Sequence, residues 1–210
     1  MRLSNRIVLA TLNREKYDEF KSLYQTYPDI VLVPAEELIR NAGKLQHVEK
    51  YATYLDNAVA KARVCNLASH YPSLADDSGL EVEGLGGRPG VKSHRYAPPS
   101  PKKSQDQANV ELLLQELADK KDRRAKFVCT LALVIEGIMV HAVGTLEGTI
   151  AESPKGQNGF GYDPIFIPRG ANKTLAEMTS ADKNKISHRN QAVHQLMKNV
   201  EAHGLVFAKP

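Results

Sequence analysis

The stretch RIVLATLNREKYDEFKSLY, Arg6 to Tyr24, contains two periodicities in succession. Arg6 to Thr11 is a short apolar run, which reads as a buried strand. From Asn13 onward, Tyr17, Phe20 and Tyr24 fall at helical spacing. IVLVP (Ile30–Pro34) follows as a second strand, so the chain opens β-α-β. Further out, Glu49 to Ser69 is helical in character, with Leu55, Val59 and Ala62 on one face. PSLAD (Pro72–Asp76) reads as a third, short strand that ends at paired aspartates. Val110, Leu113, Leu114 and Leu117 keep the spacing of an amphipathic helix. Phe127 to Ile135 alternates with period two, Glu136-Gly137 marks a turn, and Ile138 to Ile150 continues as strand, interrupted by Gly144 and Gly148. YDPIFIP is a further strand segment, and a helix from about His188 buries Ala192, Val193, Leu196, Met197 and Val200. The expected class is α/β, a mixed sheet flanked by helices, with residues 1–210 forming a single domain.

Composition excludes several classes. Hydrophobic residues make up 42% of the chain and charged residues 25%, ordinary values for a globular protein. No apolar run approaches the ~20 residues that span a bilayer. Met1 to Arg6 is polar and has no signal-peptide pattern, so the cytoplasm is the expected compartment. The two cysteines, Cys65 and Cys129, sit in apolar patterns and are expected to be reduced core residues. The net charge of +4 fits an anionic ligand without specifying one. KKDRRAK (Lys120–Lys126) reads as a solvated loop between a helix and a strand, and APPSPKKSQ (Ala97–Gln105) as a loop before a helix. There is no Trp, and no basic run is interleaved with aromatics, so a nucleic-acid surface is not expected.

Four polar clusters remain. Thr11, Asn13 and Lys16 lie at a strand-to-helix turn, where backbone N–H groups and the helix dipole favour a phosphate. The glycines of a Walker-type loop are missing, and Thr or Asn there also serves as an ordinary helix cap. Asp76-Asp77-Ser78-Gly79 supplies adjacent carboxylates that point to opposite faces of a strand. One of them can meet Mg²⁺, which prefers carboxylate oxygens and substrate phosphates; an Asx turn is the plain alternative. Gly79, Gly84, Gly86 and Gly87 then let the chain turn. In GFGYDPIF (Gly159–Phe166), Phe160 stands between two glycines, free to stack on a base or to fill a core. In KNKISHRNQ (Lys183–Gln191), Ser187 reads as an N-cap, and His188 and Arg189 place positive charge against the dipole of the first helical turn.

Six stretches taken in order resemble the inosine triphosphate pyrophosphatase family: TLNREK, YLDNAVAKA, LADDSGL, LGGRPGV, GFGYDPIF and ISHR, spread from Val8 to about Val200. The resemblance implies cleavage of a non-standard purine nucleoside triphosphate (ITP, dITP, XTP) between the α and β phosphates, giving the monophosphate and pyrophosphate. It implies Mg²⁺ as cofactor, a homodimer, and an elongated α/β fold with a long mixed sheet and a cleft between two lobes. Thr11, Asn13, Lys16 and Lys61 would hold the triphosphate, and Ser78 would contact substrate. Asp77 would be the catalytic carboxylate and, with Glu49 just before the YLDNAVAKA helix, a metal ligand. Phe160, Gly161, Tyr162, Asp163, Lys183, His188 and Arg189 would line the base pocket. Asn57 and Lys61 are four apart and share a helix face. Two other readings stay open: a non-catalytic nucleotide or RNA-binding module, and a pyrophosphatase for modified pyrimidine or methylated nucleotides.

Overall fold

The computed structural model describes residues 1–40 and 42–209. The strands and helices run in the order β1 (Arg2–Leu3), β2 (Arg6–Leu9), α1 (Arg14–Leu23), β3 (Val31–Pro34), α2 (Ala35–Leu38), α3 (Tyr54–Ser69), β4 (Ser73–Val82), α4 (Gln105–Glu116), β5 (Arg124–Ile135), β6 (Ile138–Ile150), β7 (Phe166–Pro168), α5 (Ser180–Ile186), α6 (His188–Ala202) and β8 (Val206–Phe207). Six strands form a sheet in the order β3-β2-β4-β5-β6-β7, with β2 parallel to β3 and β4, and β7 antiparallel to β6. The mixed α/β class expected from the sequence is the one observed. A separate parallel pair joins β1 to β8, Arg2 opposite Val206 and Leu3 opposite Phe207. Among the described residues, no helix is long and apolar enough to cross a membrane.

The chain divides into two compact units. The first comprises residues 1–77, 129–144 and 189–210. Right-handed crossovers from β2 to β3 and from β3 to β4 place α1 and α3 on opposite faces of the parallel strands. The cores agree. Tyr17, Phe20 and Leu23 of α1 pack with Ile7, Leu9 and Leu74, whereas Ala58, Ala62 and Cys65 of α3 pack with Val8, Ala10 and Ala75. The period of two along β4 therefore sends Asp76 toward the Leu74 face and Asp77 toward the Ala75 face.

The second unit comprises residues 78–128 and 145–188. Its core gathers Leu80 and Val82 of β4, Val110 and Leu113 of α4, Phe127, Ile150 and Phe166. Ser104 and Gln107 form a reciprocal capping box at the start of α4. Buried Asn109 donates to the carbonyls of Ser93 and His94, both at 3.1 Å, and accepts from Ala97 N–H at 2.8 Å.

The β5–β6 hairpin turns as expected at Glu136-Gly137, with φ of 44° and 88°. Gly148 lies inside β6 because a side chain there would meet the Ile167 carbonyl oxygen at 2.3 Å. Two expectations need correction. β4 does not end at the aspartates but continues to Val82, since Leu80 and Val82 keep the apolar alternation beyond Ser78. α3 begins at Tyr54, not Glu49, because Thr53 caps it by accepting the Asp56 N–H. The helix expected from His188 does begin there, with Ser187 extended before it, and Lys183 lies in a separate short helix, α5, capped by Thr179.

Candidate active site

In the first unit, two helices and one strand bring five ionisable side chains and one amide together. β4 supplies Asp76 and Asp77, α3 supplies Asn57 and Lys61, α1 supplies Lys16, and the segment before α3 supplies Glu49. Lys16 Nζ donates to both oxygens of Asp76, at 3.0 and 3.2 Å. Lys61 Nζ donates to Glu49 Oε1 and to the Asp76 carbonyl oxygen, each at 2.5 Å. Asn57 Nδ2 donates to Asp77 Oδ2 at 3.0 Å and to the Tyr51 carbonyl at 3.2 Å. Asn57, Lys61, Asp76 and Asp77 are all buried. The i, i+4 spacing of Asn57 and Lys61 aims both from α3 at the aspartate pair.

The electrostatics follow from this packing. Burial pushes the Asp77 carboxyl up to about 6; the nearby Glu49 charge adds to the rise, while Lys61, Lys16 and the Asn57 hydrogen bond oppose it. Burial acts on Glu49 in the same sense, but the charge and hydrogen bond of Lys61, with Lys16, outweigh it and hold Glu49 below its usual value. Burial alone lowers Lys61, yet Asp76, Glu49 and Asp77 together hold it above the ordinary lysine value. Glu49, Asp76 and Asp77 thus carry more negative charge than Lys16 and Lys61 neutralise.

That surplus, on oxygen donors only, fits a hard divalent cation. Among the described residues no three or more His, Cys, Asp or Glu side chains converge as a closed metal cage. A closed cage is not what Mg²⁺ uses in phosphate sites, where one or two carboxylates are completed by phosphate oxygens and water. Glu49 and Asp77 are two acids that could hold such an ion.

Thr11 and Asn13 stand at the start of α1 with their side chains turned to the local backbone. Asn13 Oδ1 accepts the Lys16 N–H at 2.8 Å, and Thr11 Oγ1 accepts the Asn13 N–H at 3.2 Å. The capping alternative is therefore realised for Asn13. Arg189 is also in this unit, its Nη1 donating to Glu19 Oε2 of α1 at 2.8 Å. Glu19 offsets the cation that the α6 dipole disfavours.

In the second unit, Asp163 is the organising group. Its Oδ2 accepts from Lys183 Nζ at 2.6 Å and from the Phe160 N–H at 3.0 Å, and both members of the ion pair are buried. The Lys183 ammonium lies 4.9 Å from the Phe160 ring centroid. Gly159 has φ of 74°, and a side chain there would strike the Asp163 carboxylate at 2.1 Å. The Gly161 N–H donates to Asp106 Oδ2 at 2.7 Å. Tyr162 turns its hydroxyl to the Ser93 carbonyl at 2.9 Å inside the core, so its role in the structure is packing. His188 is buried and stacks on Phe127, with ring centroids 4.8 Å apart. Ser78 begins this unit, half-buried in β4.

Asp163, Lys183 and Phe160 thus come together as one group, and Lys16, Glu49, Lys61 and Asp77 as another. Of the other participants, Asn57 and Asp76 were singled out in the sequence, whereas Glu19 and Asp106 were not. Asn57 and Asp76 carried the signal of spacing and adjacency to chosen residues. Glu19 and Asp106 carried none, each reading as an ordinary helical acid.

The arrangement was compared with known proteins. The Ham1 family profile matches residues 7–199. A Bacillus subtilis (strain 168) protein named dITP/XTP pyrophosphatase is 44% identical over 199 residues, covering 93% of this chain and 96% of that protein. An Aquifex aeolicus (strain VF5) protein of the same name is 39% identical over 205 residues, covering 93% and 98%. Among solved structures, the Staphylococcus aureus Ham1 protein superposes with a TM-score of 0.80 at 38% identity, covering 94% of this chain and 99% of that one. All six stretches that suggested a pyrophosphatase lie inside the matched span, and on these grounds the chain belongs to the Ham1 family.

Proposed function

We propose that this chain hydrolyses non-standard purine nucleoside triphosphates (dITP, ITP and XTP) to the monophosphate and pyrophosphate, removing them from the nucleotide pool. The reading rests on family membership, on the dITP/XTP pyrophosphatases among its relatives, and above all on one observation. Asp77 is buried beside Glu49 and accepts a hydrogen bond from the Asn57 amide, while Lys16 and Lys61 stand close to the same acids. Such a group has little purpose in a core, where an uncompensated carboxylate is costly.

The chemistry assigns each residue a task. Water attacks the α-phosphorus and the bond to the bridging oxygen of the β-phosphate breaks. Lys16 and Lys61 stabilise the negative charge that the transition state spreads over phosphate oxygens. Lys16 leaves Asp76 for the triphosphate, which frees the Asp76 carboxylate to orient the attacking water. Thr11 and Asn13 offer hydroxyl, amide and helix N–H groups to the phosphates. Glu49 and Asp77 would hold Mg²⁺, which supplies further charge neutralisation when bound.

Base recognition falls to Phe160 as stacking ring, with Gly161, Asp163, Lys183, His188 and Arg189, and Ser78 contacts the nucleotide. Arg189 is donor-only, so it suits the 6-oxo acceptor of hypoxanthine and xanthine and mismatches the 6-amino donor of adenine. Tyr162 supports the loop from the core. The same reading takes residues 1–210 as one enzyme, working in the cytoplasm as a homodimer.

The test is pyrophosphate release with Mg²⁺ from dITP, XTP, GTP and ATP, alongside Asp77→Asn. Fast release from the first two, abolished in the variant, is expected. Nucleotide binding without release from any of the four would return the chain to the binding-module alternative.

A further inference from the structure

Phe160 is half-exposed on a segment that is neither helix nor strand. Gly159 and Gly161, on either side, both take left-handed φ values, 74° and 63°. The backbone thus has no Cβ on either neighbour to restrain it, while the ring itself lies under the Lys183 ammonium at 4.9 Å. Next to it lies a cavity of about 290 Å³, whose wall includes Val110, Pro154 and Pro164 as well as Phe160 itself. That volume exceeds a benzyl group, and burial of a ring against apolar walls is favourable. A backbone so hinged lets the ring turn toward the cavity and away from the Lys183 ammonium unless its amides are held.

Two carboxylates hold it, one on each side of the hinge. Asp163 Oδ2 accepts the Phe160 N–H, and Asp106 Oδ2 accepts the Gly161 N–H at 2.7 Å. Asp163 belongs to the motif that carries the ring. Asp106 does not: it reaches across 55 residues of sequence from the first turn of α4. Negative charge is favoured at that helix end, and a carboxylate makes a stronger bond to an N–H than a neutral acceptor does. We infer that Asp106 is a positioning residue for base recognition, pinning the Gly161 amide so that the Phe160 ring stays out of the cavity and is presented to the purine. The inference rests on the proposed stacking role of Phe160.

The experiment compares Asp106→Ala, Asp106→Asn, Phe160→Ala and the double variant Asp106→Ala/Phe160→Ala with dITP as substrate. Asp106→Ala and Phe160→Ala should each raise KM about tenfold, the scale of one charged hydrogen bond, with a much smaller effect on kcat. Asp106→Asn keeps a carbonyl acceptor and should recover most of the loss. In the double variant, removing Asp106 should add nothing to the loss of the ring. A second readout needs no turnover. The chain has no Trp, so Phe160→Trp gives a single indole. Its emission should shift to the blue and become harder to quench with acrylamide when Asp106 is also truncated. Asp106→Ser, too short to reach Gly161, serves if the alanine variant does not fold. If Phe160→Ala raises KM but Asp106→Ala does not, or if their effects multiply, the positioning role is overturned and the stacking role stands. If Phe160→Ala leaves KM unchanged, the stacking role falls and the inference falls with it.

Discussion

Asp77 sets function against stability. Its carboxyl titrates near 6 in the fold, against 3.8 in the reference state. The folded chain therefore binds that proton more tightly than the unfolded chain. Below pH ~4 the group is protonated in both states and its full favourable contribution is present; this is lost as the pH rises through about 6. At 1.36 kcal/mol per unit, about 3 kcal/mol is at stake, as an order of magnitude. Asp77→Asn should thus abolish turnover yet raise the melting temperature of the chelator-treated protein at pH 8, with a smaller gain at pH 4.5. Calorimetry at the two pH values checks this, and a variant melting lower than the parent at pH 8 would contradict it. If Arg189 is the proposed donor to the 6-oxo group, Arg189→Ala should cut kcat/KM for dITP by roughly 10–100-fold and narrow the preference over dATP. An unchanged dITP-to-dATP ratio would remove Arg189 from base selection. The same variant removes the ion pair with Glu19, so some loss of stability is expected beside the kinetic effect.

At the scale of elements, β4 and the β6–β7 pair carry the weight. β4 places two acids on opposite faces because it runs straight through them. The sequence showed the alternation but not its continuation: Asp-Asp-Ser-Gly looks like a turn by composition, and only burial on both sides explains a strand there. The same blindness applied to α5, whose seven residues give too little periodicity to be noticed. The long hairpin and the β-α-β start were legible because each repeats its pattern over many residues. In the site, motif residues were legible and the groups that orient them largely were not, since Glu19 and Asp106 act through contacts distant in sequence. Gly148 tests the β6–β7 pair directly. A Cβ there would lie 2.3 Å from the Ile167 carbonyl oxygen and 2.7 Å from the Phe166 ring. Gly148→Ala should lower stability by about 1–3 kcal/mol, read as a lower urea midpoint. A midpoint equal to the parent's would show that β7 can move aside freely.

For the whole molecule, the apolar residues sort into separate cores, two in the first unit and one in the second, and each unit also gathers its own polar group. The first unit is assembled from three stretches of chain, and its ends are tied together. Beyond the β1–β8 pair, the Met1 ammonium donates to the Gly204 carbonyl at 2.9 Å. With Leu3 opposite Phe207, Met1 stands level with Leu205, and Lys209 lies on the order of 13 Å further along, at ~3.3 Å per residue. A Gly/Ser linker that spans this distance would connect Lys209 to Met1 with the β1–β8 pair left in place. The chain could then be reopened in the exposed Pro101–Lys103 turn, giving a circular permutant whose gene begins at a different residue and whose fold is unchanged.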